Sequence, residues 1–368
     1  MSKTIAVFFG GNSNEREISV ITGMLAVNLL KSANYQVVPI YLPPEGGLQT
    51  GDFCNPNDFK SSAKTKRIPV QLEGRDLVRI KRRKRLYTID CALNCCHGGM
   101  GEDGTMSAVL RFHGIPFASP EAPMSAMFMD KLLTKIAAKG LEIPTARAFA
   151  VRERDWLVRD AVLAKAEGFG YPVVVKPARL GSSIGIKVAK NAAELTAALN
   201  LAFRLDDLAL VEEYFEGKRD INCAAYRRGG KTVISPLEEV FSNEEILTFS
   251  EKYEGVGLRN SQLPAEIPEE AAKKICAYTR EIYEAFGGKG VVRADFLIVG
   301  EAVYFNELNT VPGSLACYLF GASLLESRNF LASLIEEALE NPPRIKQTVT
   351  TGILEGNLFS GSKAAKRR

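Results

Sequence analysis

The fold is decided by two stretches, Arg293-Ala294-Asp295-Phe296 and Asn306-Glu307-Leu308-Asn309-Thr310-Val311-Pro312-Gly313. Apolar, β-branched residues broken by one glycine lie between them, which predicts two strands joined by a turn. Side chains alternate along a strand, so Glu307 and Asn309 share a face that Asp295 can meet from the neighbouring strand. Two carboxylates and an amide oxygen on one face predict a site for Mg²⁺ that also holds phosphate oxygens.

A lysine followed by a small, hydroxyl-rich loop lies upstream of this acidic hairpin. Lys176 ends an apolar run, and the loop Gly181-Ser182-Ser183-Ile184-Gly185 follows it. Backbone amides of such a loop can surround phosphates, and a lysine adds a point charge. A Gly-Ser loop alone is usually only a turn, but with the acidic hairpin it predicts a nucleotide–Mg²⁺ site.

The segment Glu212-Glu213-Tyr214-Phe215 turns acidic and then aromatic at the end of a predicted strand, residues 208–214. One interpretation is an ordinary edge strand. The other is a purine slot, with a carboxylate for the adenine amino group and aromatic rings against its face. The residues alone leave both open.

Two glycine motifs are interpreted as turns. Gly99-Met100-Gly101-Glu102-Asp103-Gly104 matches a dinucleotide fingerprint, but it follows a later strand and carries two acids that would repel a pyrophosphate. Gly230-Lys231-Thr232 lacks the earlier glycine of a P-loop. His97 is more informative, because it opens a glycine turn at a strand end, where ligands of open α/β sheets lie. Glu15, at a predicted helix start, can be a residue that only complements the helix dipole.

Composition sets broad limits. The 368 residues allow two or three domains, and 46% hydrophobic with 24% charged residues is typical of a soluble globular protein. A net charge of +4 gives no reason to expect nucleic-acid binding. The basic run Lys81-Arg82-Arg83-Lys84-Arg85 is interpreted as an exposed hairpin end. Seven scattered cysteines and the lack of a long apolar run predict a cytoplasmic protein with no membrane partner.

The pattern of elements predicts an α/β protein with α+β character towards its C-terminus. The N-terminal part alternates β-α-β, which predicts an open parallel sheet. In detail we expect a loop over 43–66, strands over 85–96 and 115–118, and one helix over 124–139. The predicted domains are 1–120, 121–216 and 217–345, with a mobile loop at 242–262 and a tail at 346–368.

Taken together, the motifs resemble those of D-alanine–D-alanine ligases, members of the three-domain ATP-grasp superfamily. The resemblance runs from about residue 3 to 340 and is weakest over 43–90. The motifs that carry it, besides the two opening stretches and the loop after Lys176, are Phe9-Gly10-Gly11-Asn12-Ser13-Asn14-Glu15-Arg16-Glu17-Ile18-Ser19, His97-Gly98-Gly99-Met100-Gly101-Glu102-Asp103-Gly104-Thr105, Met129-Asp130-Lys131 and Glu251-Lys252-Tyr253.

The resemblance implies a role for each site residue. The expected ATP-binding residues are Lys131, Lys176, Ser182, Ser183, Glu212, Glu213, Tyr214, Phe215, Asp220 and Lys252. The expected ligands of two Mg²⁺ or Mn²⁺ ions are Asp295, Glu307 and Asn309. The expected catalytic residues are Glu15, Ser182, Tyr253, Arg293 and Gly313. The expected substrate contacts are Glu15, His97, Tyr318 and Leu319.

The activity it implies is ATP-dependent joining of two D-alanines through an acyl phosphate, for peptidoglycan precursor synthesis, by a homodimer. Two positions depart from the family: Tyr318 stands where a serine usually grips the second substrate, and Asp220 where a glutamate is usual near the ribose. Tyr318 motivates an alternative second substrate such as D-serine. Tyr253 favours an amine over D-lactate as nucleophile. A different class, a nucleotide-binding regulator without catalysis, also remains open.

Overall fold

The structure is a computed structural model that describes residues 2–60, 62–241 and 260–342. Its strands form three sheets. No helix among those residues is long and apolar enough to cross a membrane. The predicted mobile loop, with Lys252 and Tyr253, and the basic tail fall outside the described residues, apart from positions 260–262 at the end of the loop.

The first sheet is mixed. Its strands are β1 (Thr4–Gly10), β2 (Gln36–Leu42), β3 (Leu48–Thr50), β4 (Ile68–Glu73), β5 (Asp76–Arg79), β6 (Lys84–Thr88) and β7 (Cys91–Asn94), in the order β6-β5-β4-β3-β2-β1-β7. The central strand β1 pairs in parallel with β2 and β7 and is buried along its whole length, as its continuous apolar run predicts. Helices α1 (Arg16–Lys31) and α2 (Thr105–Phe112) belong to this part.

The α/β class is confirmed, but the sheet is not parallel throughout. β3 to β6 pair antiparallel as a meander that extends its edge. One of these strands, β3, lies inside the predicted loop 43–66. The basic run spans the exposed turn after β5 and the first two residues of β6, so its interpretation as an exposed hairpin end is confirmed.

The second sheet has four antiparallel strands. They are β8 (Ala148–Arg152), β9 (Val173–Pro177), β10 (Lys187–Ala189) and β11 (Leu208–Glu213), in the order β10-β9-β11-β8. Helices α5 (Arg159–Phe169) and α6 (Ala192–Ala202) accompany it, and α3 (Ala122–Met129) and α4 (Lys131–Gly140) precede it. β9 and β11 are antiparallel neighbours with Lys176 opposite Leu210, so Lys176 and Glu212, two residues further along β11, share one face of the sheet.

The third sheet carries the acidic hairpin. Its strands are β12 (Arg219–Arg228), β13 (Lys231–Ile234), β14 (Glu238–Val240), β15 (Ser261–Gln262), β16 (Val291–Val299) and β17 (Ala302–Asn309). The helices around it are α7 (Glu269–Ala285), the single-turn α8 (Cys317–Phe320) and α9 (Leu324–Glu340). The predicted strand–turn–strand of 291–309 is confirmed, and Gly230 lies in the turn between β12 and β13.

Three predicted elements are wrong in detail. The strand 85–96 is interrupted because the Asp90 carboxylate turns to accept the backbone N–H of Thr4, 2.9 Å away. Residues 115–118 make only an isolated bridge between Ala92 and Phe117. The helix 124–139 is two helices, because Asp130 is extended and its carboxylate caps α4, accepting from the amides of Leu132 and Leu133.

Candidate active site

The main cavity lies where the three sheets meet, and it gathers most of the predicted site residues. β16 and β17 pair with Asp295 opposite Glu307 and Arg293 opposite Asn309, with a bulge after Asp295. The four side chains therefore share the face that lines the cavity. The amide Nδ2 of Asn309 is 3.0 Å from Oδ2 of Asp295.

Arg293 is held by this face. Its Nε and Nη2 donate to the two oxygens of Asp295 over 2.7 and 2.8 Å. Burial alone would lower the pKa of Arg293, but the Asp295 carboxylate outweighs it and the pKa lies well above its usual value. A permanent cation thus sits beside the carboxylates, fixed in direction by a bidentate pair.

The donor set on this face fits a hard divalent cation. Asp295, Glu307 and the amide oxygen of Asn309 supply the oxygen ligands that Mg²⁺ and Mn²⁺ prefer. Across residues 2–60, 62–241 and 260–342, no group of three or more His, Cys, Asp and Glu side chains is arranged to hold a metal by itself. The asparagine oxygen and substrate phosphates would therefore have to complete the coordination.

Glu212 is buried between two lysines. Lys176 Nζ lies 2.6 Å and Lys135 Nζ 3.0 Å from its carboxylate oxygens. Burial alone would raise the pKa of Glu212, but the two ammonium groups outweigh it and lower the pKa to about 2. Lys176 also donates to Oδ1 of Asn306 over 3.1 Å, which ties the second sheet to the acidic hairpin.

Sequence reasoning missed Lys135. The lysine lies one helical turn after Lys131 on α4, and residues four apart share a face of a helix. That spacing was a usable signal. Lys131 Nζ donates to the Leu180 carbonyl and lies 4.0 Å from Glu307, so Lys131 lines the cavity directly. Lys135 reaches the site through Glu212.

Phe215, at the aromatic end of the predicted purine slot, lines the cavity. Its ring packs against a residue that the sequence did not suggest. The Phe215 ring stacks on Tyr304 of β17, with centroids 4.7 Å apart and an angle of 30°. Glu213 is held by Arg147, whose Nε lies 2.7 Å from its carboxylate. Tyr214 lines the cavity, and so does Asp220, which pairs with Lys218.

Glu15 and Ser182 meet although 167 positions separate them. The Ser182 hydroxyl donates to the Glu15 carboxylate, and both side chains are buried at the cavity wall. A Cβ at Gly98 or Gly181 would come within 2.8 and 2.7 Å of Glu15, so these glycines allow the backbone to enclose the carboxylate. Ser182 and Ser183 themselves have left-handed backbones, with φ of 52° and 59°.

His97 and Glu102 lie deeper in the wall. His97 is 4% exposed, and burial, with Arg293 nearby, lowers its pKa to about 4. Burial, with Glu15 nearby, raises the pKa of Glu102 to about 8. Sequence reasoning treated Glu102 only as an argument against a dinucleotide site, whereas its carboxylate accepts from the amides of Gly98 and Val311.

The turn after β17 brings Gly313 to the cavity and then leads away from it. The Tyr318 hydroxyl donates to Oε2 of Glu238 over 3.1 Å, and Asn222 Nδ2 donates to the same oxygen over 2.9 Å. Leu319 is 2% exposed and packs in the core shared by α1 and α9. Tyr318 therefore lies beside a buried carboxylate, and both groups add to the raised pKa of Arg293.

Lys176 at the end of β9, the acidic hairpin and the Glu15 carboxylate at the start of α1 line one cavity. Together with the three-sheet fold, this arrangement is that of an ATP-dependent ligase of the ATP-grasp type. Residues 4–120 match the model of the D-ala D-ala ligase N-terminus and residues 137–340 that of the C-terminus. The chain belongs to the D-alanine–D-alanine ligase family.

Relatives named as D-alanine–D-alanine ligases match most of this chain. The D-alanine–D-alanine ligase of Thermosipho melanesiensis is 33% identical over 345 residues, which are 91% of this chain and 93% of that protein. The ligase of Wolinella succinogenes is 32% identical, with 86% and 89% covered.

Solved structures agree with this fold. The Coxiella burnetii D-alanine–D-alanine ligase has a TM-score of 0.76 and 26% identity, covering 92% and 94% of the two chains. VanG D-Ala:D-Ser ligase of Enterococcus faecalis has a TM-score of 0.76 and 27% identity, covering 91% and 100%.

Proposed function

We propose that this protein joins two D-alanines to D-alanyl-D-alanine at the expense of ATP. The observation that carries the proposal is the meeting of the Glu15–Ser182 pair with the acidic hairpin in one cavity. A carboxylate for a substrate ammonium and a phosphate-directed site then face each other across the space where an amino acid would meet ATP.

The hairpin residues would hold one or two divalent cations. Bound there, Mg²⁺ or Mn²⁺ would neutralise phosphate charge and orient the terminal phosphate of ATP. Lys131 and Lys176 would add fixed positive charge near the phosphates. Glu212 would fix the orientation of the Lys176 side chain, and its carboxylate would also accept from the adenine amino group. The Phe215–Tyr304 stack supports a slot for the adenine ring.

The first step joins substrate to phosphate. Glu15 would bind the ammonium of the first D-alanine, with His97 beside that substrate as a neutral ring. An oxygen of the D-alanine carboxylate attacks the γ-phosphorus of ATP. The bond between that phosphorus and the oxygen bridging it to the β-phosphate breaks, and ADP leaves. Such a transfer needs positioning and charge neutralisation more than a protein nucleophile, which matches the residues of this cavity.

The second step forms the peptide bond. The amine of the second D-alanine attacks the acyl carbon, and Arg293 with the Gly313 N–H would stabilise the oxyanion. The amine then loses a proton, the bond to the phosphate oxygen breaks, and inorganic phosphate leaves. We propose that Lys252 and Tyr253 cover this intermediate and keep water out.

The second substrate has a competing identity. Tyr318 stands where the family usually has a serine, and its hydroxyl is turned to Glu238. This supports a second-substrate pocket of altered polarity and a ligase that takes another amine, such as D-serine, in that position. Likeness to a D-Ala:D-Ser ligase adds support.

A phosphate-release screen separates these functions. Purified protein, ATP and Mg²⁺ are combined with pairs of D-amino acids and with D-alanine plus D-lactate. We expect the fastest release with D-alanine alone and little with D-lactate. Faster release with D-alanine plus D-serine would establish the alternative second substrate. A rate of phosphate release that does not change with any added amino acid would refute both activities.

The same proposal extends to organisation. We propose that the three sheets mark domains close to 1–120, 121–216 and 217–345. We further propose a homodimer that acts in the cytoplasm and supplies the dipeptide to peptidoglycan precursors.

A further inference from the structure

The turn beyond the acidic hairpin has a backbone that needs external support. Ser314, Leu315 and Ala316 have φ of 52°, 52° and 51°. L-residues avoid this left-handed region because the Cβ crowds the backbone, and it persists where surrounding contacts hold it. Gly313 directly precedes this segment. The contacts that hold the turn therefore also fix the direction of the Gly313 N–H.

Thr22 makes one of those contacts. It lies in α1 and is 1% exposed. Its Oγ1 accepts from the backbone N–H of Ser314 over 3.2 Å and lies 2.9 Å from Nε2 of His97. One threonine hydroxyl thus connects the turn with the histidine that lines the first-substrate side of the cavity.

The partners of His97 decide where its ring proton lies. The backbone carbonyl of Val311 also faces the ring and opposes the lowering of the His97 pKa by burial. Since Nε2 faces Thr22, Nδ1 is the nitrogen available to that carbonyl. A neutral imidazole has one proton, and we expect Nδ1 to carry it, so that Nε2 accepts from the Thr22 hydroxyl.

These bonds close a loop around the turn. The Val311 carbonyl faces the His97 ring, and the Val311 N–H donates to Glu102 over 3.3 Å. The Ser314 N–H donates to Thr22. Both ends of residues 311–314 are thus tied to α1 and to the segment after β7.

We propose that Thr22 is a positioning residue: with His97 it clasps residues 311–314 and aims the Gly313 N–H at the oxyanion of the second step. This inference rests on the proposed function for its kinetic consequence. The clasp itself is a property of the folded protein and is tested without any reaction.

Imidazole ¹⁵N NMR tests the clasp directly. The chain has two histidines, so in His113→Gln all imidazole ¹⁵N signals come from His97. We expect Nδ1 to be protonated and Nε2 to show the shift of a hydrogen-bonded acceptor. Adding Thr22→Val should move Nε2 to the shift of a free acceptor, and Thr22→Ser should restore it. A ring protonated at Nε2 in the parent would overturn the proposal.

Amide hydrogen exchange gives an independent readout. Removal of the Thr22 hydroxyl should speed exchange of the Ser314 amide by at least about tenfold, because its acceptor is gone. The amides of β1, which Thr22 does not contact by hydrogen bond, serve as the internal control. Equal exchange of Ser314 in the parent and in Thr22→Val would contradict the clasp.

Kinetics test its purpose. Thr22→Val should lower kcat for ligation by roughly tenfold or more, since small displacements of an oxyanion donor are costly, while the KM for ATP stays within about twofold. Thr22→Ser should recover most of kcat. Thr22 has only a structural role if Thr22→Val raises the KM for ATP by as large a factor as it lowers kcat. The same holds if Thr22→Ser folds but does not recover kcat. A parent without ligase activity would refute the proposed function and leave the NMR result standing.

Discussion

Two groups of opposite charges lie at the cavity. Glu212 lies between Lys135 and Lys176, and Arg293 grips Asp295 with two hydrogen bonds. A buried charge without a partner is costly, so each pair offsets the burial of its members. The pairing also fixes the direction of each cation towards the place proposed for phosphate or oxyanion.

Lys135→Met should weaken ATP binding. The change keeps the length of the side chain but removes one of the two ammonium groups that fix the direction of the Glu212 carboxylate, which we propose accepts from the adenine amino group. We expect the KM for ATP to rise roughly tenfold with a smaller change in kcat. Steady-state kinetics over a range of ATP concentrations measure this, with exposed Lys139→Met on the same helix as the matched control. Equal KM values in the two variants would contradict the role given to Lys135.

His97 should make stability depend on pH. Its pKa is about 4 in the folded protein against 6.5 for an ordinary histidine. Between these values the unfolded chain binds a proton at this histidine that the folded protein does not, so the contribution of His97 to stability falls as pH drops from about 6.5 to 4, by up to about 3 kcal/mol.

His97→Gln should flatten that part of the curve of unfolding free energy against pH. The control is His113→Gln, which keeps His97 and should keep the slope. Chemical denaturation at several pH values supplies the curves. A slope that survives in His97→Gln would mean that other groups produce it.

Asp295→Asn should reduce the response to Mg²⁺. The change keeps the shape of the side chain but removes one of the two carboxylate charges of the proposed metal site. We expect the Mg²⁺ concentration for half-maximal activity to rise at least about tenfold. EDTA should abolish activity in the parent, and Mg²⁺ or Mn²⁺ should restore it. Asp207→Asn, at a 70% exposed carboxylate, is the control; a titration that matches this control would exclude Asp295 as a ligand.

At the scale of elements, the sequence predicted those features that depend on neighbouring residues of the same strand. Alternation along β16 and β17 placed Asp295, Glu307 and Asn309 on one face, and the register agrees. Features that depend on residues distant in the sequence were not predicted. Asp90 interrupts a strand because its carboxylate accepts from Thr4, and the ring that stacks on Phe215 comes from β17. Such contacts have no signature in the nearby sequence.

The break between α3 and α4 was predictable in part. Met129-Asp130-Lys131 was recognised as a motif, but not as a helix boundary, because the apolar pattern continues across it. Asp130→Ala removes the cap of α4 and should destabilise the protein by about 1 kcal/mol. Thermal unfolding measures the loss, and exposed Glu167→Ala on α5 should leave Tm unchanged. An unaltered Tm in Asp130→Ala would show that packing alone fixes this helix start.

At the scale of the whole molecule, the two ends of the chain share one core. α1 and β1 pack with α9 and with the turn that carries Val311 and Leu315. The first and third sheets are therefore not independent, and the cavity between them has a fixed wall. The sequence predicted separate domains from composition but gave no sign of this shared core, since its contacts join residues about 300 positions apart.

Gly290 tests that contact. Its φ is +63°, and a Cβ there would lie 2.6 Å from the Ser119 backbone at the end of the first part of the chain. Gly290→Ala should therefore cost about 2 kcal/mol more than Gly287→Ala, where φ is +80° but no atom lies within 4 Å. Denaturant unfolding of both variants gives the difference. Equal stabilities would mean that the two parts separate easily.

The central claim is that this cavity forms an acyl phosphate from D-alanine and ATP. Mass spectrometry with D-alanine carrying ¹⁸O in both carboxylate oxygens tests it most directly, because the attacking oxygen must leave with the phosphate. The account predicts D-alanyl-D-alanine, ADP and inorganic phosphate in equal amounts, with one ¹⁸O in each phosphate. Phosphate without ¹⁸O, or ATP binding without any dipeptide, would contradict it.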